Sequence, residues 1–438
     1  MKTVLYCSVV AMYYLSWPLW GQSRDDLDDE FSALDRQLEA QFEQQDKVLE
    51  KQFLQVKLAI DNAYKGLTKK ISVNWQQDIE LPTAYSWTTY DDTYASRAKF
   101  DFAQGLYQIE TIVEQDVAKS LLMLKAFATQ IAQSSQSELL QADVFKQALQ
   151  YELLDSQIPA AGLVYPDTST APYVEVDAIL AANTAEVIAQ IDLVSLTTPP
   201  SQVQTIKPQQ QAASSAFDST QRPEVAAVKA DKKPQVSLKI ETKQAVKRLV
   251  LTIPFINSYQ KNLLENKLEL VKKLANQYQI DVSLILAVIE TESAFNPMAI
   301  SPVPAFGLMQ LVPSTAGIDA YEYLYGQRKV VSPEYLFDQN NNLMLGATYL
   351  HILSSRYLRD IQNQQSKLYC MLASYNTGVG NLALTFIQKK SLGLAVMKIN
   401  SLEPEQIYAH LMENLPAQET KNYLKKVLSR KQHYASFD

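Results

Sequence analysis

The chain has 438 residues, of which 47% are apolar and 20% charged, and its net charge is −7. Its length predicts two or three domains with a substantial core, and its composition is that of soluble globular protein. The acidic balance argues against nucleic acid and gives no reason to expect an anionic membrane surface as partner, since both attract basic patches.

The first 23 residues have the layout of a secretory signal peptide. A lysine precedes an apolar run over residues 4–20, and acidic chain follows. Small residues favour cleavage after Ser23. The alternative is a retained anchor helix, which the shortness of the run and Pro18 disfavour. We therefore expect a secreted protein.

Cysteine usage is sparse. The two cysteines are Cys7, inside the predicted signal, and Cys370, so the mature chain is expected to lack an intramolecular disulfide. Cys7 follows too few apolar residues to be a convincing lipid-attachment site, and lipidation is the lesser alternative. With three histidines and one usable cysteine, no zinc pattern is visible. We expect no metal and no cofactor.

An amphipathic acidic helix is predicted for residues 24–66. Its apolar residues recur every three or four positions, and Gly66 is the expected end. The stripe consists of Leu27, Phe31, Leu34, Leu38 and Phe42. The helix could form a coiled coil, but packing on its own domain is the simpler interpretation.

Residues 67–255 are predicted to form an α+β N-terminal domain. Alternation on both sides of Gly105 indicates a hairpin, helical spacing returns over residues 117–133, and two more alternating segments follow at 236–240 and 249–253. A stretch rich in Pro, Gln, Ser and Ala, at about 197–234, is predicted to be an insertion without a core of its own.

From residue 256 to residue 438 the spacing is helical throughout, which predicts an all-α domain. It contains "VIETESAFNP" (288–297), with Glu290 and Glu292 two positions apart. Residues two apart on a helix point roughly 200° apart, so these carboxyls cannot flank one scissile bond.

Helix geometry favours Glu292 over Glu290 as a catalytic group. Glu292 continues the apolar stripe of Ile285, Val288 and Ile289, whereas Glu290 is the better candidate for a solvated residue. A carboxyl at the end of an apolar face is partly desolvated, which raises its pKa and lets it hold a proton near neutrality. The alternative is a buried-edge glutamate held by a hydrogen bond.

Four blocks in this region resemble the signature of the soluble-type lytic transglycosylases, which cleave the glycan strands of bacterial peptidoglycan. They are "ETESAFNPMAISPVPAFGLMQLVPSTA" (290–316), "FDQNNNLMLGATYL" (337–350), "ASYNTG" (373–378) and "ETKNYLKKV" (419–427). The likeness covers roughly 270–430. Pro304 stands where the family often has glycine, which leaves the shape of that loop open.

The resemblance implies an all-α, lysozyme-like catalytic domain behind the α+β region. It implies that Glu292 protonates the bond between N-acetylmuramic acid and N-acetylglucosamine and then, as a base, helps the muramyl 6-hydroxyl close a 1,6-anhydro ring. Neither water nor a second carboxylate is needed. Substrate-binding roles are implied for Ser293, Met309, Gln310, Tyr349, Tyr375, Asn376 and Tyr423. Core packing is an alternative for Met309 and Tyr375, and a purely structural role for Tyr349.

The stretch "YDDTYASRAKFDFAQGLYQIETI" (90–112) resembles the N-terminal domain of a membrane-bound member of the same family. That member is a lipoprotein, and because this chain lacks a convincing lipid-attachment cysteine, membrane anchoring is not carried over. Peptidoglycan is the expected partner and a Gram-negative periplasm the expected compartment. Nothing indicates other cell-wall proteins as partners.

Two other functions stay open from sequence. One is a hydrolase of the same fold acting on peptidoglycan or chitin, with Asp319 or Glu322 positioning the water. The other is a non-catalytic peptidoglycan-binding or scaffold protein, which the presence of Glu292 disfavours for residues 256–438.

Overall fold

The computed structural model describes residues 24–134, 143–155, 163–165, 176–192 and 236–438. The predicted signal peptide and the predicted insertion at 197–234 lie outside the described residues. The chain divides into two units, Met1–Lys51 and Gln52–Asp438. No helix within the described ranges is both long enough and apolar enough to cross a bilayer.

The first part of the chain contains both helices and strands. In chain order the elements are α1 (Arg24–Trp75), β1 (Ser86–Tyr90), β2 (Ser96–Asp101), β3 (Leu106–Ile112), α2 (Val117–Gln133), α3 (Val144–Asp155), β4 (Leu163–Val164), α4 (Val176–Ile179), α5 (Thr184–Gln190), β5 (Ser237–Lys243) and β6 (Val246–Pro254).

The second part is helical, as predicted, apart from the two-residue strand β7. Its elements are α6 (Tyr259–Tyr278), α7 (Val282–Ser293), a π turn (Pro313–Gly317), α8 (Ile318–Tyr325), β7 (Val330–Val331), α9 (Pro333–Phe337), α10 (Gln339–Ile352), a second π turn (Leu353–Tyr357), α11 (Gln364–Thr377), α12 (Val379–Ile387), α13 (Leu392–Ile399), α14 (Pro404–Asn414), α15 (Gln418–His433) and a closing 3₁₀ turn (Ala435–Phe437).

The long helix α1 passes through Gly66 and ends at Trp75, so the predicted end at Gly66 is wrong. Beyond Lys51 its apolar stripe is buried on its own domain, on both sides of the glycine, at Val56, Ile60, Ala63, Leu67, Ile71 and Trp75. A glycine inside a helix costs about 1 kcal/mol relative to alanine. Burying Leu67, Ile71 and Trp75 stabilises each side chain by roughly 1.5–3 kcal/mol, which outweighs the glycine.

Five strands form an antiparallel sheet in the order β1-β2-β3-β6-β5, and β4 pairs with β7 in a separate, parallel two-stranded sheet. Both predicted strand pairs are present, and β3 pairs with β6 through partners such as Tyr107 and Ile253. The strands β5 and β6 are joined by Gln244 and Ala245, both at positive φ (49° and 65°), the conformation of a tight hairpin turn.

The two faces of this sheet differ in chemistry. One carries the aromatic row Trp87, Phe100 and Tyr107, whose neighbouring ring centroids lie 5.3 Å and 4.5 Å apart. The other carries the buried arginines Arg97 and Arg248, both paired with Asp78 from the loop after α1. The sheet is therefore covered on both sides, by an apolar layer and by a charged one.

Candidate active site at the end of helix α7

The helix α7 ends where the two glutamates stand. Ala294 and Phe295 both take positive φ (50° and 65°), and the Ala294 N–H donates to the Glu290 carbonyl at 3.1 Å. This left-handed termination comes before Pro297 and places Glu292 in the final turn.

The glutamates point to different faces of α7 and lie beside different turns of α15. Glu290 lies beside Arg430, and Glu292 lies beside Tyr423. Glu290 accepts an ion pair from Arg430 Nε at 3.1 Å, and Arg430 Nη1 also donates to Thr291 Oγ1 at 2.9 Å. Glu290 therefore pairs with a partly buried arginine, and the prediction that Glu290 is a solvated residue is wrong. Its carboxylate holds α7 against α15.

Glu292 lies among tyrosines and is only partly accessible to solvent. Burial raises its pKa from the usual 4.5 to about 8; the Tyr423 hydroxyl opposes this rise and the charge of Glu419 adds to it. At neutral pH the carboxyl is thus mostly protonated. An acid that also becomes a base in the same reaction works best with a pKa near the working pH.

Tyr423 and Tyr375 are the two tyrosines that Glu292 influences most directly. Burial, and then the charge of Glu292, raises the pKa of both hydroxyls well above the ordinary value. Tyr375 donates to the Met309 carbonyl at 2.8 Å. The buried Tyr423 hydroxyl faces Glu292 without the geometry of a full hydrogen bond and has no other partner among the described residues.

The loop of residues 306–311 packs against the end of α7. The Ser293 hydroxyl, fully buried, donates to the Leu308 carbonyl at 2.8 Å and also lies 3.1 Å from the Ile289 carbonyl. Both partners of the Ser293 hydroxyl are thus backbone carbonyls of the protein itself. The Ser293 hydroxyl therefore fastens the loop to α7, and its substrate-binding role stays a prediction.

Met309 is also a structural residue. Its side chain is fully buried against Gly346, and its backbone N–H donates to Asn342 Oδ1 at 2.8 Å. Asn342 Nδ2 donates in turn to the carbonyls of Phe306 and Leu336, each at 2.8 Å. The side chain of Met309 therefore packs in the core, which was the alternative stated from sequence, and its substrate contact stays a prediction.

The other predicted binding residues line the site unequally. Gln310 is half-buried and its Nε2 donates to the Gly307 carbonyl at 3.1 Å. Asn376 is half-buried, and its side chain makes no hydrogen bond within the described ranges. Tyr349 is buried, with its ring centroid 5.6 Å from that of Tyr375. Tyr349 thus packs against Tyr375, whereas the side chains of Gln310 and Asn376 are partly accessible.

The two carboxyls proposed from sequence for a hydrolase are engaged elsewhere. Asp319 accepts from the Tyr357 hydroxyl at 2.8 Å, and Glu322, which is buried, pairs with Arg328 Nη1 at 3.1 Å. The carboxyl whose charge raises the pKa of Glu292 belongs to the exposed Glu419. Within the described ranges, no group of three His, Cys, Asp or Glu residues is arranged to hold a metal.

Sequence reasoning missed one residue of this site, Tyr85, from the N-terminal domain. Its hydroxyl donates to the Thr291 carbonyl at 2.7 Å across 206 positions of sequence. No local pattern in "LPTAYSW" (81–87) could have shown this, because the contact exists only after the two domains have packed together.

Two families match the chain. Residues 269–395 match the family described as "Transglycosylase SLT domain", and residues 48–139 match "Membrane-bound lytic murein transglycosylase C, N-terminal domain". Each match covers one of the two regions described above, the helical site region and the first part of the sheet region.

Curated relatives agree with these matches. Membrane-bound lytic murein transglycosylase C of Haemophilus influenzae (strain PittEE) is 41% identical over 177 residues, 40% of this chain and 49% of the relative. The protein of that name in Yersinia pestis (strain Pestoides F) is 38% identical over 187 residues, 43% of this chain and 51% of the relative. The chain thus spans about half the length of the curated relatives it matches.

Among solved structures, the 70 kDa soluble lytic transglycosylase of Escherichia coli matches with 26% identity over 40% of this chain and 26% of its own, at a TM-score of 0.30. Slt of Pseudomonas aeruginosa matches with 23% identity over 41% and 27%, at a TM-score of 0.28. By these matches, residues 269–395 are similar to transglycosylase SLT domains, and residues 48–139 are similar to the N-terminal domain of membrane-bound lytic murein transglycosylase C.

Proposed function

We propose that this protein is a peptidoglycan lytic transglycosylase and that Glu292 alone carries its acid and base steps. The observation that supports this most strongly is the raised pKa of Glu292, about 8, on a partly accessible carboxyl within the residues that match the SLT domain family. A proton held at neutral pH is what a glycosidic oxygen needs in order to leave.

In the proposed reaction Glu292 donates its proton to the oxygen between N-acetylmuramic acid and N-acetylglucosamine, and the bond from that oxygen to the muramyl C1 breaks. The sugar's own 2-acetamido group, or an oxocarbenium ion, holds the positive charge. Glu292, now a carboxylate, takes the proton of the muramyl 6-hydroxyl, whose oxygen bonds to C1. The products are an N-acetylglucosamine end and a 1,6-anhydromuramic end, and no water is consumed.

Gln310, Asn376 and the Tyr423 hydroxyl are the polar groups proposed to bind the glycan around Glu292. Gln310 and Asn376 are half-buried side chains with polar atoms left for a ligand. The Tyr423 hydroxyl is buried without a full hydrogen bond in the described ranges, which favours a role in orienting the Glu292 carboxyl when substrate excludes water.

A hydrolase is the second candidate, supported by one observation, the proximity of the Glu419 charge to Glu292. A carboxylate there could activate water and give an ordinary reducing end. Against this, Glu419 is exposed, and its effect on Glu292 is smaller than that of burial. A purely binding role is weaker still, because binding would not require a protonated buried carboxyl. The periplasm is the proposed compartment, in keeping with relatives named as membrane-bound enzymes.

The test is to digest purified peptidoglycan with the protein and with its Glu292→Gln variant and to weigh the released muropeptides. We expect ends of anhydromuramic acid, one water lighter than reducing ends, from wild type and not from the variant. Reducing ends would indicate a hydrolase, with Glu419→Gln as the next variant. No release above the variant's level would reject both enzymatic functions.

A further inference from the structure

Tyr85 is fixed at its backbone by the N-terminal domain. The Thr83 hydroxyl accepts from the backbone N–H groups of Tyr85 (3.2 Å) and Ser86 (3.1 Å), which closes a tight turn. The Tyr85 carbonyl accepts from the Phe102 N–H at 2.9 Å, which ties the turn to the end of β2. The side chain therefore leaves the sheet in one direction.

The same turn is docked on the end of α7. Asn296 Nδ2 lies 3.2 Å from the Ala84 carbonyl and 3.4 Å from the Thr83 carbonyl. The Tyr85 hydroxyl donates to the Thr291 carbonyl, one residue before Glu292. Backbone and side chain of Tyr85 are thus both anchored, one to each domain.

The ring of Tyr85 lies within the electrostatic reach of the catalytic carboxyl. Burial raises the pKa of its hydroxyl, and the charge of Glu292 adds to the rise. Even so, 39% of the residue remains exposed. Because the hydroxyl hydrogen is already donated to Thr291, what Tyr85 has to offer a ligand is its ring and not a free donor.

We propose that the aromatic face of Tyr85 forms one wall of the glycan-binding groove and packs against a pyranose ring next to the bond that Glu292 cleaves. One face of a pyranose carries C–H groups and is apolar, so a flat ring held rigidly beside it binds it well at little entropic cost. The inference rests on the proposed function, since it takes the ligand to be a glycan strand. It makes Tyr85 a substrate-positioning residue supplied from outside the SLT match at 269–395.

A purely structural role for Tyr85 makes a different prediction. If its only purpose were the hydrogen bond to Thr291, Tyr85→Phe would be as damaging as Tyr85→Ala. If the ring contacts the glycan, Tyr85→Phe keeps the contact and Tyr85→Ala removes it. The pair of variants therefore separates the two roles.

The experiment measures the affinity for a soluble glycan of alternating N-acetylglucosamine and N-acetylmuramic acid in the Glu292→Gln background, so that binding is read without turnover. KM and kcat are measured in parallel in the chain that retains Glu292. Tyr85→Ala is expected to raise Kd and KM about tenfold with kcat little changed, and Tyr85→Phe to restore most of the affinity. Tyr151→Ala, at an exposed tyrosine of α3, is the matched control and should bind as the parent does.

Unchanged affinity of Tyr85→Ala would overturn the inference, and so would a loss in Tyr85→Phe as large as that in Tyr85→Ala. The proposed function fails separately: if wild type forms no anhydro product while Glu292→Gln still binds glycan, the binding comparison continues to decide the role of Tyr85.

Discussion

The burial of Glu292, the proposed catalytic residue, has a cost in folding stability. Its carboxyl is buried among tyrosines at a helix end, and the burial raises its pKa to about 8. Between the pKa of an unfolded glutamate, about 4.3, and this value, the folded chain holds a proton that the unfolded chain has released. The free energy of unfolding therefore falls as pH rises through this window.

The first prediction is that Glu292→Gln stabilises the protein more at high pH than at low pH. Glutamine resembles the protonated acid but has no proton to lose, so its advantage over wild type should grow by about 1.4 kcal/mol per pH unit between roughly pH 4.5 and 8 and then level off. Denaturant unfolding at several pH values measures this difference. The exposed Glu405→Gln, the same substitution on the surface of α14, is the control. A difference between Glu292→Gln and wild type that is no steeper with pH than the control's would contradict the raised pKa.

The second prediction concerns Glu419. Burial is the largest cause of the raised pKa of Glu292, and the negative charge of Glu419 raises it further. Glu419→Gln removes that charge, makes the ionised form of Glu292 less unfavourable and lowers its pKa. The alkaline limb of the pH–rate profile, where the acid is lost, should move to lower pH. A shift of this limb to higher pH, or complete loss of activity at every pH, would be incompatible with this role and would indicate direct participation of Glu419.

At the scale of elements, the loop of residues 306–311 depends on its close approach to neighbouring helices. Gly307 takes φ of +73°, and a Cβ there would lie 2.3 Å from both Asn342 Nδ2 and the Leu336 carbonyl oxygen. Asn342 is the residue that holds the Met309 N–H and the Phe306 carbonyl in place. This loop therefore needs glycine for space as well as for conformation.

The third prediction compares two glycines of like conformation. Gly307→Ala should destabilise the protein by about 3 kcal/mol or more, because strain at positive φ is joined by a collision with backbone. Gly326→Ala, also at positive φ (+68°) but with nothing within 4 Å of the added Cβ, should cost only about 1–2 kcal/mol. Thermal unfolding of both variants measures the two effects. Equal losses would mean that the space around Gly307 is not limiting.

The spacing of apolar residues predicted the elements that bury one face. It failed for elements whose presence or extent depends on packing against the rest of the fold. The hairpin around Gly105 and helix α2 (Val117–Gln133) were predicted and are confirmed. The strand β1 was missed, because "SWTTY" has all five residues buried and shows no alternation. Helix α1 overran Gly66, because the apolar stripe resumes beyond it.

For the site, helix geometry was sufficient to separate Glu292 from Glu290, but not to assign their surroundings. The partner of Glu290 is Arg430. Arg430 also contacts Thr291, which lies 139 positions earlier in the chain. Ser293 and Met309 were predicted to bind glycan, and in the structure the Ser293 hydroxyl and the Met309 backbone N–H make hydrogen bonds within the protein. Spacing in sequence shows which face a residue occupies, whereas the hydrogen-bond partners depend on distant segments. The roles proposed for Gln310, Asn376 and Tyr423 stay predictions.

At the scale of the whole molecule, the sheet is assembled from segments far apart in the chain. Asp78 joins them: Arg97 from β2 donates to its carboxylate at 2.6 Å, and Arg248 from β6 binds the same oxygen. Burial would raise the pKa of Asp78, but Lys243, Arg97 and Arg248 outweigh it and hold that pKa below its ordinary value. This charged layer closes the face of the sheet opposite the aromatic row.

The fourth prediction is that Asp78→Asn destabilises the fold by about 3 kcal/mol, because two buried arginines lose a shared counter-charge. Glu80→Gln, at a partly exposed partner of Lys99 in the same loop, is the control and should change the stability by less than about 1 kcal/mol. Denaturant unfolding at neutral pH measures both. A loss for Asp78→Asn no larger than the control's would mean that Glu110 and Glu241 suffice to hold the arginines.

The central claim is that one carboxyl cleaves the glycan without water. The most direct measurement is digestion of peptidoglycan in water labelled with heavy oxygen, followed by mass analysis of the new muramic ends. The account predicts anhydro ends that carry no label, and none of them from Glu292→Gln. Reducing ends that carry one heavy oxygen would contradict it, because they would show that water had attacked the sugar.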